Sequence, residues 1–414
     1  MISRHSFAAL RHRNFRLIWI GLMLSFTGTM MQNAALLWHV SLLVPAENKG
    51  LALGLVGLAK VVPIFVFSMI SGVVADALDR RRLLFLTQVA AMAVSIVLAL
   101  LALNGLRQVW PLYVLAAVGA AVNAFDMPPR AALVPSLVPR EHLANAISLN
   151  TIMFQSAAVA GPSIGGLIIA ASGVGWVYLA NAISFGAVIV ALLLMRDMPL
   201  KERGGSGSRD DVSFHAALEG LRFVFRSPLI RSTMVLDFLA TFFSSATALL
   251  PIFAQDVLRV GAEGYGWLYA AQGAGALLSS AAMVPLTVRI ERRGTVLLWA
   301  VAAYGLATTV FGLSRSFWLT FSCLAITGAA DTVSTIIRNV VRQLETPDRL
   351  RGRMTGVNMV FFMGGPQLGE FEAGAVASWR GAPFSVISGG LGCLICTLWV
   401  AVATPALRHY RRER

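Results

Sequence analysis

The stretch Gly161-Pro162-Ser163-Ile164-Gly165-Gly166 returns 204 residues later as Gly365-Pro366-Gln367-Leu368-Gly369-Glu370. Both copies lie in apolar sequence. Other pairs recur at nearly the same offset, namely Gly54 with Gly266, Asp79 with Glu291, Gly119 with Gly328 and Asn150 with Asn358. The sequence therefore predicts two homologous halves of about 200 residues each.

The composition indicates a membrane protein. Of the 414 residues, 57% are hydrophobic and 13% are charged, and the mean hydropathy is +0.72. A soluble globule of this length needs more polar surface. The apolar residues also form blocks long enough to cross a bilayer, which takes about 20 residues as helix. We predict twelve spans, at residues 15–44, 50–76, 82–104, 109–135, 143–170, 174–195, 228–256, 262–290, 294–313, 317–342, 351–378 and 382–405.

The positive charge is distributed unequally between the two sides of these spans. The net charge is +14, and 28 of the 34 Lys and Arg residues fall on the side that carries both termini. Because basic loops stay in the cytoplasm, this predicts cytoplasmic termini and a multi-pass protein of the cell inner membrane. Anionic lipids are the expected partners of the arginines, and nucleic acid is not an expected partner.

The predicted fold class is an all-α membrane protein with twelve transmembrane helices in two pseudo-symmetric six-helix bundles. Residues 1–195 form the first bundle and residues 228–414 the second. Residues 196–227 form a cytoplasmic linker, Gly/Ser-rich at 203–209, in which Phe214, Leu218, Leu221 and Phe225 predict an amphipathic helix on the membrane. In membrane proteins such halves pack around a pseudo-two-fold axis with a substrate site between them. We expect a monomer.

A loop between the second and third spans carries a family resemblance. The stretch from Gly72 through Asp76 to Asp79-Arg80-Arg81-Arg82 resembles the signature Gly-x-x-x-Asp-Arg-x-Gly-Arg-Arg of the major facilitator superfamily. Ala77 replaces the arginine, and Asp79 replaces the second glycine. Asp79 followed by three arginines is similar to the exporter branch known as transmembrane secretion effectors. The same branch is resembled by Arg13-Asn14-Phe15-Arg16, Ala124-Phe125-Asp126-x-Pro-x-Arg130, Val138-Pro139-Arg140-Glu141-His142-Leu143 and Thr346-Pro347-Asp348.

The resemblance implies a secondary transporter that works by alternating access, and export rather than uptake. It also implies a cytoplasmic gate, because the matching aspartate in the superfamily braces the start of the eleventh helix, where exposed N–H groups favour an anion. The gate residues would be Asp76, Asp79, Arg80 and Arg81. The alternative interpretation is that the arginines only set the topology.

The Gly-Pro turns resemble the end of the fifth-helix motif of drug:proton antiporters. Ala157 and Ser148 stand where that longer motif has glycines, so a kinked, tightly packed helix of any facilitator is the competing interpretation. The predicted packing and kink residues are Gly161, Pro162, Gly165, Gly166, Gly365, Pro366 and Gly369.

Ionisable groups at membrane depth are costly and tend to mark paths for ions or substrates. The predicted cavity-lining residues are Gln32, Asn33, Lys60, Asp126 and Arg130. Asp126 and Arg130 stand one helical turn apart, so a local ion pair is the alternative for these two.

Four acids are candidates for proton coupling, namely Glu370, Glu372, Asp237 and Asp331. Glu370 is singled out because it replaces the second glycine of the repeated turn, where the first half has Gly166. A carboxylate that has lost its hydration binds a proton more readily, as coupling requires. The alternatives for Glu370 are a structural partner for Lys60 or a water-facing residue near the periplasmic mouth.

Enzymatic chemistry is not expected. The sequence has no phosphate-binding loop, metal-ligand cluster or nucleophile elbow, so it predicts no cofactor and no metal. Cys393 and Cys396 lie in the apolar last span and are expected to pack. We predict proton-coupled export of a small amphipathic or siderophore-like molecule. Uptake is the alternative, followed by a non-transporting receptor or an enzyme on the same fold.

Overall fold

The computed structural model describes residues 8–195, 222–287, 289–347 and 351–411. Within these residues the secondary structure is helical and has no strand. The long helices follow the predicted spans: α1 Arg13–Leu43, α2 Lys49–Ala77, α3 Arg80–Leu103, α4 Trp110–Ser136, α5 Leu143–Ser172, α6 Val174–Leu194, α7 Pro228–Phe243, α8 Gly261–Leu286, α9 Arg293–Leu313, α10 Phe317–Glu345, α11 Arg351–Arg380 and α12 Ala382–Ala403. The predicted amphipathic helix lies outside the described residues except for 222–226, which are helical.

Ten of these segments are long and apolar enough to cross a membrane. The other two, α8 and α11, have 26 and 30 residues, which exceeds the roughly 20 that a span requires. Both carry polar residues, such as Gln272 in α8 and Glu370 in α11. The predicted all-α membrane fold is confirmed.

The internal repeat reappears in the packing of the helices. In the first half, α1 packs on α5 and α6, and α3 packs on α4 and α6. In the second half, α7 packs on α11 and α12, and α9 packs on α10 and α12. Every one of these pairs in the first half thus has its counterpart six helices later, as two homologous six-helix bundles require.

The last turn of each half also repeats. Gly173 joins α5 to α6 with φ 92°, and Gly381 joins α11 to α12 with φ 86°. Both glycines adopt a positive φ that residues with a Cβ rarely tolerate. The short connection between the fifth and sixth helices of each half therefore depends on glycine at this position.

The contacts divide the chain into two compact units that do not follow chain order. Unit 1 comprises Met1–Pro45, Ala59–Glu202 and Val260–Ala270, and unit 2 comprises Ala46–Leu58, Arg203–Arg259 and Ala271–Arg414. The first turns of α2 thus pack in unit 2, and those of α8 pack in unit 1. The predicted domain boundaries at residues 195 and 228 stay a prediction.

Close helix contacts in each unit depend on residues without side chains. In unit 2, a Cβ at Gly54 of α2 would lie 3.1 Å from the Cα of Gly374 in α11. In unit 1, a Cβ at Gly166 of α5 would lie 2.7 Å from the Cα of Gly266 in α8. Small residues at such contacts allow two backbones to approach closely within a membrane.

The seventh predicted span is interrupted. α7 ends at Phe243, and the chain continues through the 3₁₀ turn Ala246–Leu249 and the π turn Phe253–Val257. Pro251 has no N–H to donate to the preceding turn. Ser245 donates its hydroxyl to the carbonyl of Pro366 at 3.1 Å, outside its own helix. The span predicted over 228–256 is present as the candidate span Pro228–Val257, and it is built from more than one helical segment.

The C-terminal segment docks onto the ends of α9 and α10. Leu407, in the short helix Pro405–Arg408, is fully buried. The backbone N–H of Gly294 donates to the carbonyl of Tyr410 at 3.2 Å, and the Tyr410 hydroxyl donates to Glu345 Oε1 at 3.0 Å. The last described turn is thus part of the fold of unit 2.

Candidate functional site

Two of the predicted coupling acids converge on one arginine in unit 2. Arg338 of α10 forms an ion pair through Nη1 with Asp237 of α7, and its Nη2 lies 3.9 Å from Asp331 Oδ1. Nη2 also donates to Thr335 Oγ1 at 2.8 Å. Asp237 and Arg338 are 8% and 9% exposed, so the pair is removed from bulk water. Removing one partner of such a buried pair is strongly destabilising, because it leaves the other charge buried and unpaired.

A small cavity of about 10 Å³ adjoins this cluster, with room for about one water molecule. Asp331 on its wall is half exposed. Tyr304, also on the wall, donates its hydroxyl to the carbonyl of Ser244 at 3.3 Å. The cavity is lined by Asp237, Ala240, Thr241, Val301, Tyr304, Ala330, Asp331, Ser334 and Arg338. With both acids ionised the cluster carries one net negative charge, which a single proton would neutralise.

In unit 1, Asp126 and Arg130 of α4 form a second buried cluster. Arg130 Nη2 lies 2.5 Å from Asp126 Oδ2. The other carboxylate oxygen of Asp126 accepts hydrogen bonds from Thr87 Oγ1 at 2.7 Å and Gln88 Nε2 at 2.8 Å, both on α3. The local ion pair that the sequence left as an alternative is present. An ion pair does not show that the two residues line a cavity, so that role stays a prediction.

The two cluster arginines occupy equivalent positions in the repeat. Arg130 and Arg338 stand 208 residues apart, as do Asn150 and Asn358. This equivalence can be read from the 208-residue offset in the sequence. It is easily overlooked, because the acids near the two arginines stand at different positions in the two halves. In the first half the counter-charge comes from the same helix, and in the second half it comes from Asp237 of α7 as well as from Asp331 of the same helix.

Neither Glu370 nor Glu372 is among the residues that line the cavity beside Arg338. A Cβ at Gly57 of α2 would lie 2.9 Å from the Cβ of Glu370 and 3.2 Å from its Oε2, so the absence of a side chain at Gly57 makes room for the acid. Glu372 is partly buried and makes no hydrogen bond or ion pair with any residue that the structure describes. Coupling by either acid stays a prediction.

Gln32, a predicted cavity-lining residue on α1, is engaged in a hydrogen-bond network. Gln32 Oε1 accepts from Ser95 Oγ at 2.7 Å and from Asn181 Nδ2 at 2.9 Å. Asn33 is partly buried, as is Lys60 on α2. Since Asn181 is fully buried, the Gln32 network holds α1, α3 and α6 together. Its oxygen is already used by partners within the bundle.

The repeated Gly-Pro turns pack in the same way in each half. A Cβ at Gly161 would lie 2.5 Å from Met30 Cβ of α1, and Gly165 faces Met31 of α1. A Cβ at Gly365 would lie 2.6 Å from Thr241 Oγ1 of α7, and Gly369 faces Phe242 of α7. Pro162 and Pro366 lie inside α5 and α11. The turn thus packs the fifth helix of each half against its first.

Among the predicted gate residues, Asp79 and the arginines make contacts within unit 1. Asp79 precedes α3 and accepts a hydrogen bond from the backbone N–H of Arg82 at 2.9 Å. Arg80 Nη1 donates to the carbonyl of Ala132 at 3.4 Å, and Arg81 Nη2 donates to the carbonyl of Leu192. Asp76 lies in the last turn of α2, and its side chain lies outside the described residues. The gate stays a prediction.

The family is identified by a model that matches nearly the whole sequence. The model described as transmembrane secretion effector matches residues 4–410. The chain belongs to the transmembrane secretion effector family. The resemblance to this branch of the major facilitator superfamily is thereby confirmed.

Curated relatives of this transmembrane secretion effector protein include the enterobactin exporter EntS of Escherichia coli strain K12. The two are 27% identical over 411 residues, which cover 97% of this chain and 94% of that protein. EntS of Shigella dysenteriae serotype 1 shows the same identity and coverage.

Solved structures confirm the fold. A POT family transporter in complex with 5-aminolevulinic acid superposes with a TM-score of 0.75 at 14% identity, covering 95% of this chain and 96% of that chain. A bacterial homolog of the human lysosomal transporter Spinster, inward-facing and unoccupied, gives a TM-score of 0.72 at 16% identity, covering 97% and 99%. The transmembrane secretion effector protein therefore has the all-α membrane transporter fold.

Proposed function

We propose that this protein is a secondary transporter that exports a small amphipathic or siderophore-like molecule, works by alternating access and uses the proton gradient. The family and the transporter fold support transport, and the similarity to enterobactin exporters supports export of a siderophore-like molecule. The observation that carries coupling is the convergence of Asp237 and Asp331 on Arg338. We place the protein in the inner membrane as a monomer with cytoplasmic termini, among anionic lipids.

The coupling step follows from charge balance in the Arg338 cluster. With both acids ionised, Arg338 attracts Asp237 of α7 and Asp331 of its own helix α10. Protonation of either acid leaves one carboxylate for one guanidinium. Arg338 then pairs with whichever of Asp237 and Asp331 is still ionised. Because Asp237 and Arg338 lie on different helices, the proton changes how strongly α7 is held to α10. A proton bound on one face of the membrane and released on the other would then drive the exchange.

The test measures flux into proteoliposomes of defined orientation with an imposed pH gradient, using enterobactin and a fluorescent dye as candidate substrates. Asp331→Asn mimics the protonated acid, so it should abolish gradient-driven accumulation and leave downhill exchange within about two-fold of wild type. Asp237→Asn should do the same with a lower folded yield, because it removes the main partner of a buried arginine. Glu345→Gln, at the exposed end of the same helix, is the matched control.

Glu370→Gln in the same assay separates the two candidate coupling sites. If Asp331→Asn retains full proton-driven flux while Glu370→Gln loses it, coupling belongs to the α2–α11 contact and the assignment to Arg338 is wrong. If no variant alters the pH dependence, proton coupling itself is wrong. The orientation of the vesicles decides between export and uptake.

A further inference from the structure

Arg130 has hydrogen-bond donors without an acceptor. The residue is 7% exposed, and its Nη2 is paired with Asp126. Its Nε and Nη1 are buried and have no hydrogen-bond partner among the residues that the structure describes. Buried charged N–H groups are costly to leave unpaired, and each such group in a native protein requires an explanation.

Asp126 does not depend on Arg130 alone. Thr87 and Gln88 donate to its other oxygen at 2.7 and 2.8 Å, so these two groups also stabilise its negative charge. Asp126 engages only Nη2 of the guanidinium, so Nε and Nη1 are left to donate to another group. Nε or Nη1 of Arg130 can donate to a second negatively charged oxygen while Asp126 keeps its hydrogen bonds from Thr87 and Gln88.

Two aromatic rings of the core of unit 1 lie beside these donors. The guanidinium carbon of Arg130 stands 4.2 Å from the centre of the Phe26 ring on α1. Phe26 in turn lies 3.8 Å, centre to centre, from Phe154 on α5. A guanidinium and aromatic rings together suit a ligand that combines an aromatic ring with a charged oxygen.

The equivalent arginine of the second half has a different environment. Arg338 contacts Asp237, Asp331 and Thr335, so two acids and a hydroxyl surround it. Among the described side chains, Arg130 forms an ion pair with one acid, Asp126, and that acid has two further donors. Arg130 thus has N–H groups available to a ligand, whereas Arg338 is already paired with two acids and a hydroxyl.

We propose that Arg130, Phe26 and Phe154 form a binding site for an aromatic carboxylate group of the transported molecule. The carboxylate accepts hydrogen bonds from Nε or Nη1 of Arg130, and the ring packs against the two phenylalanines. This inference rests on the proposed transport function and names the chemical class of its substrate. It assigns anion recognition to the first half, apart from the coupling cluster of the second half.

The test is calorimetric titration of the protein in lipid nanodiscs with 2-hydroxybenzoate and with its neutral amide, 2-hydroxybenzamide. The wild type should bind the carboxylate about ten-fold more tightly than the amide, since a charge-assisted hydrogen bond is stronger than a neutral one. Arg130→Gln should reduce the carboxylate to the affinity of the amide. Arg293→Gln, at another arginine that is 9% exposed, is the matched control and should keep the preference.

Asp126→Asn separates a binding role from a structural one. If Arg130 binds the carboxylate, loss of the competing negative charge should raise the affinity for 2-hydroxybenzoate several-fold and leave that for the amide unchanged. A purely structural pair would give no such gain. The inference is overturned if the wild type shows no preference, if Arg130→Gln keeps it, or if Asp126→Asn does not strengthen carboxylate binding.

Binding in nanodiscs requires no gradient, so the outcome is independent of proton coupling. Suppose that flux is independent of pH and that Arg130→Gln binds the carboxylate no more tightly than the amide. The binding site is then supported, and only proton coupling is refuted. If Arg130→Gln is poorly folded by size-exclusion chromatography, the Asp126→Asn result decides.

Discussion

Asp79 has a local role that can be separated from its proposed role in the gate. Its carboxylate accepts a hydrogen bond from the N–H of Arg82 and so satisfies one of the unpaired donors at the start of α3. Asp79→Ala should lower the stability by about 0.5 to 2 kcal/mol, whereas Asp79→Asn should keep most of it because asparagine is also a good cap. Thermal unfolding in detergent measures the difference.

The asparagine variant also isolates the charge. If the gate depends on the negative charge of Asp79, then Asp79→Asn should be stable and yet show altered accessibility of single cysteines to a membrane-impermeant reagent. Equal loss of stability in both variants would show that the charge, and not the cap, stabilises this end of α3.

For single residues, the sequence predicts which side chains are unusual better than it predicts which residues they contact. It singled out Asp237 and Asp331 because acids in apolar spans are rare, but it did not bring them to Arg338. Hydropathy tells which segments cross the bilayer, whereas the rotation of each helix about its axis depends on packing. Glu370 was favoured because it breaks the repeat, and only the structure shows that it lies against Gly57.

Among the helices, the contact between α2 and α11 is sensitive to added volume at Gly54. A Cβ at Gly54 would lie 3.1 Å from the Cα of Gly374 and from the carbonyl oxygens of Glu370 and Phe371. Gly54→Leu should therefore destabilise the protein by about 1 to 3 kcal/mol or more, because backbone atoms cannot move aside as side chains do.

Gly186 of α6 is the matched control, since a Cβ there would meet no atom within 4 Å. Gly186→Leu should be neutral or slightly stabilising, because leucine has the higher helix propensity by about 0.5 to 1 kcal/mol. Similar unfolding temperatures for both leucine variants would show that the α2–α11 contact does not contribute to stability.

Helix positions were predictable because the length of an apolar block limits where a span can begin and end. The break after Phe243 was not, since proline and serine are tolerated inside membrane helices whenever neighbours satisfy the freed backbone groups. Here Ser245 bonds to the carbonyl of Pro366 on α11, a partner that no local sequence pattern identifies.

For the molecule as a whole, the distribution of arginines predicts the orientation. A reporter fused after Arg414 and another inserted at residues 203–209 should both report the cytoplasm, because 28 of 34 basic residues fall on that side. Alkaline phosphatase activity from either fusion would be incompatible with the predicted orientation. A reporter inserted beside Arg107 should give the opposite signal and serves as the control.

The docked C-terminal segment has a consequence for biogenesis. Leu407 is fully buried, and Tyr410 accepts a hydrogen bond from Gly294, so residues far apart in synthesis meet at one end of unit 2. The segment from Pro405 to Tyr410 leaves the ribosome only after α12 has been made. The second half can therefore complete its packing only after this segment has been synthesised, and a variant truncated before Pro405 should be a preferred target for membrane quality-control proteases.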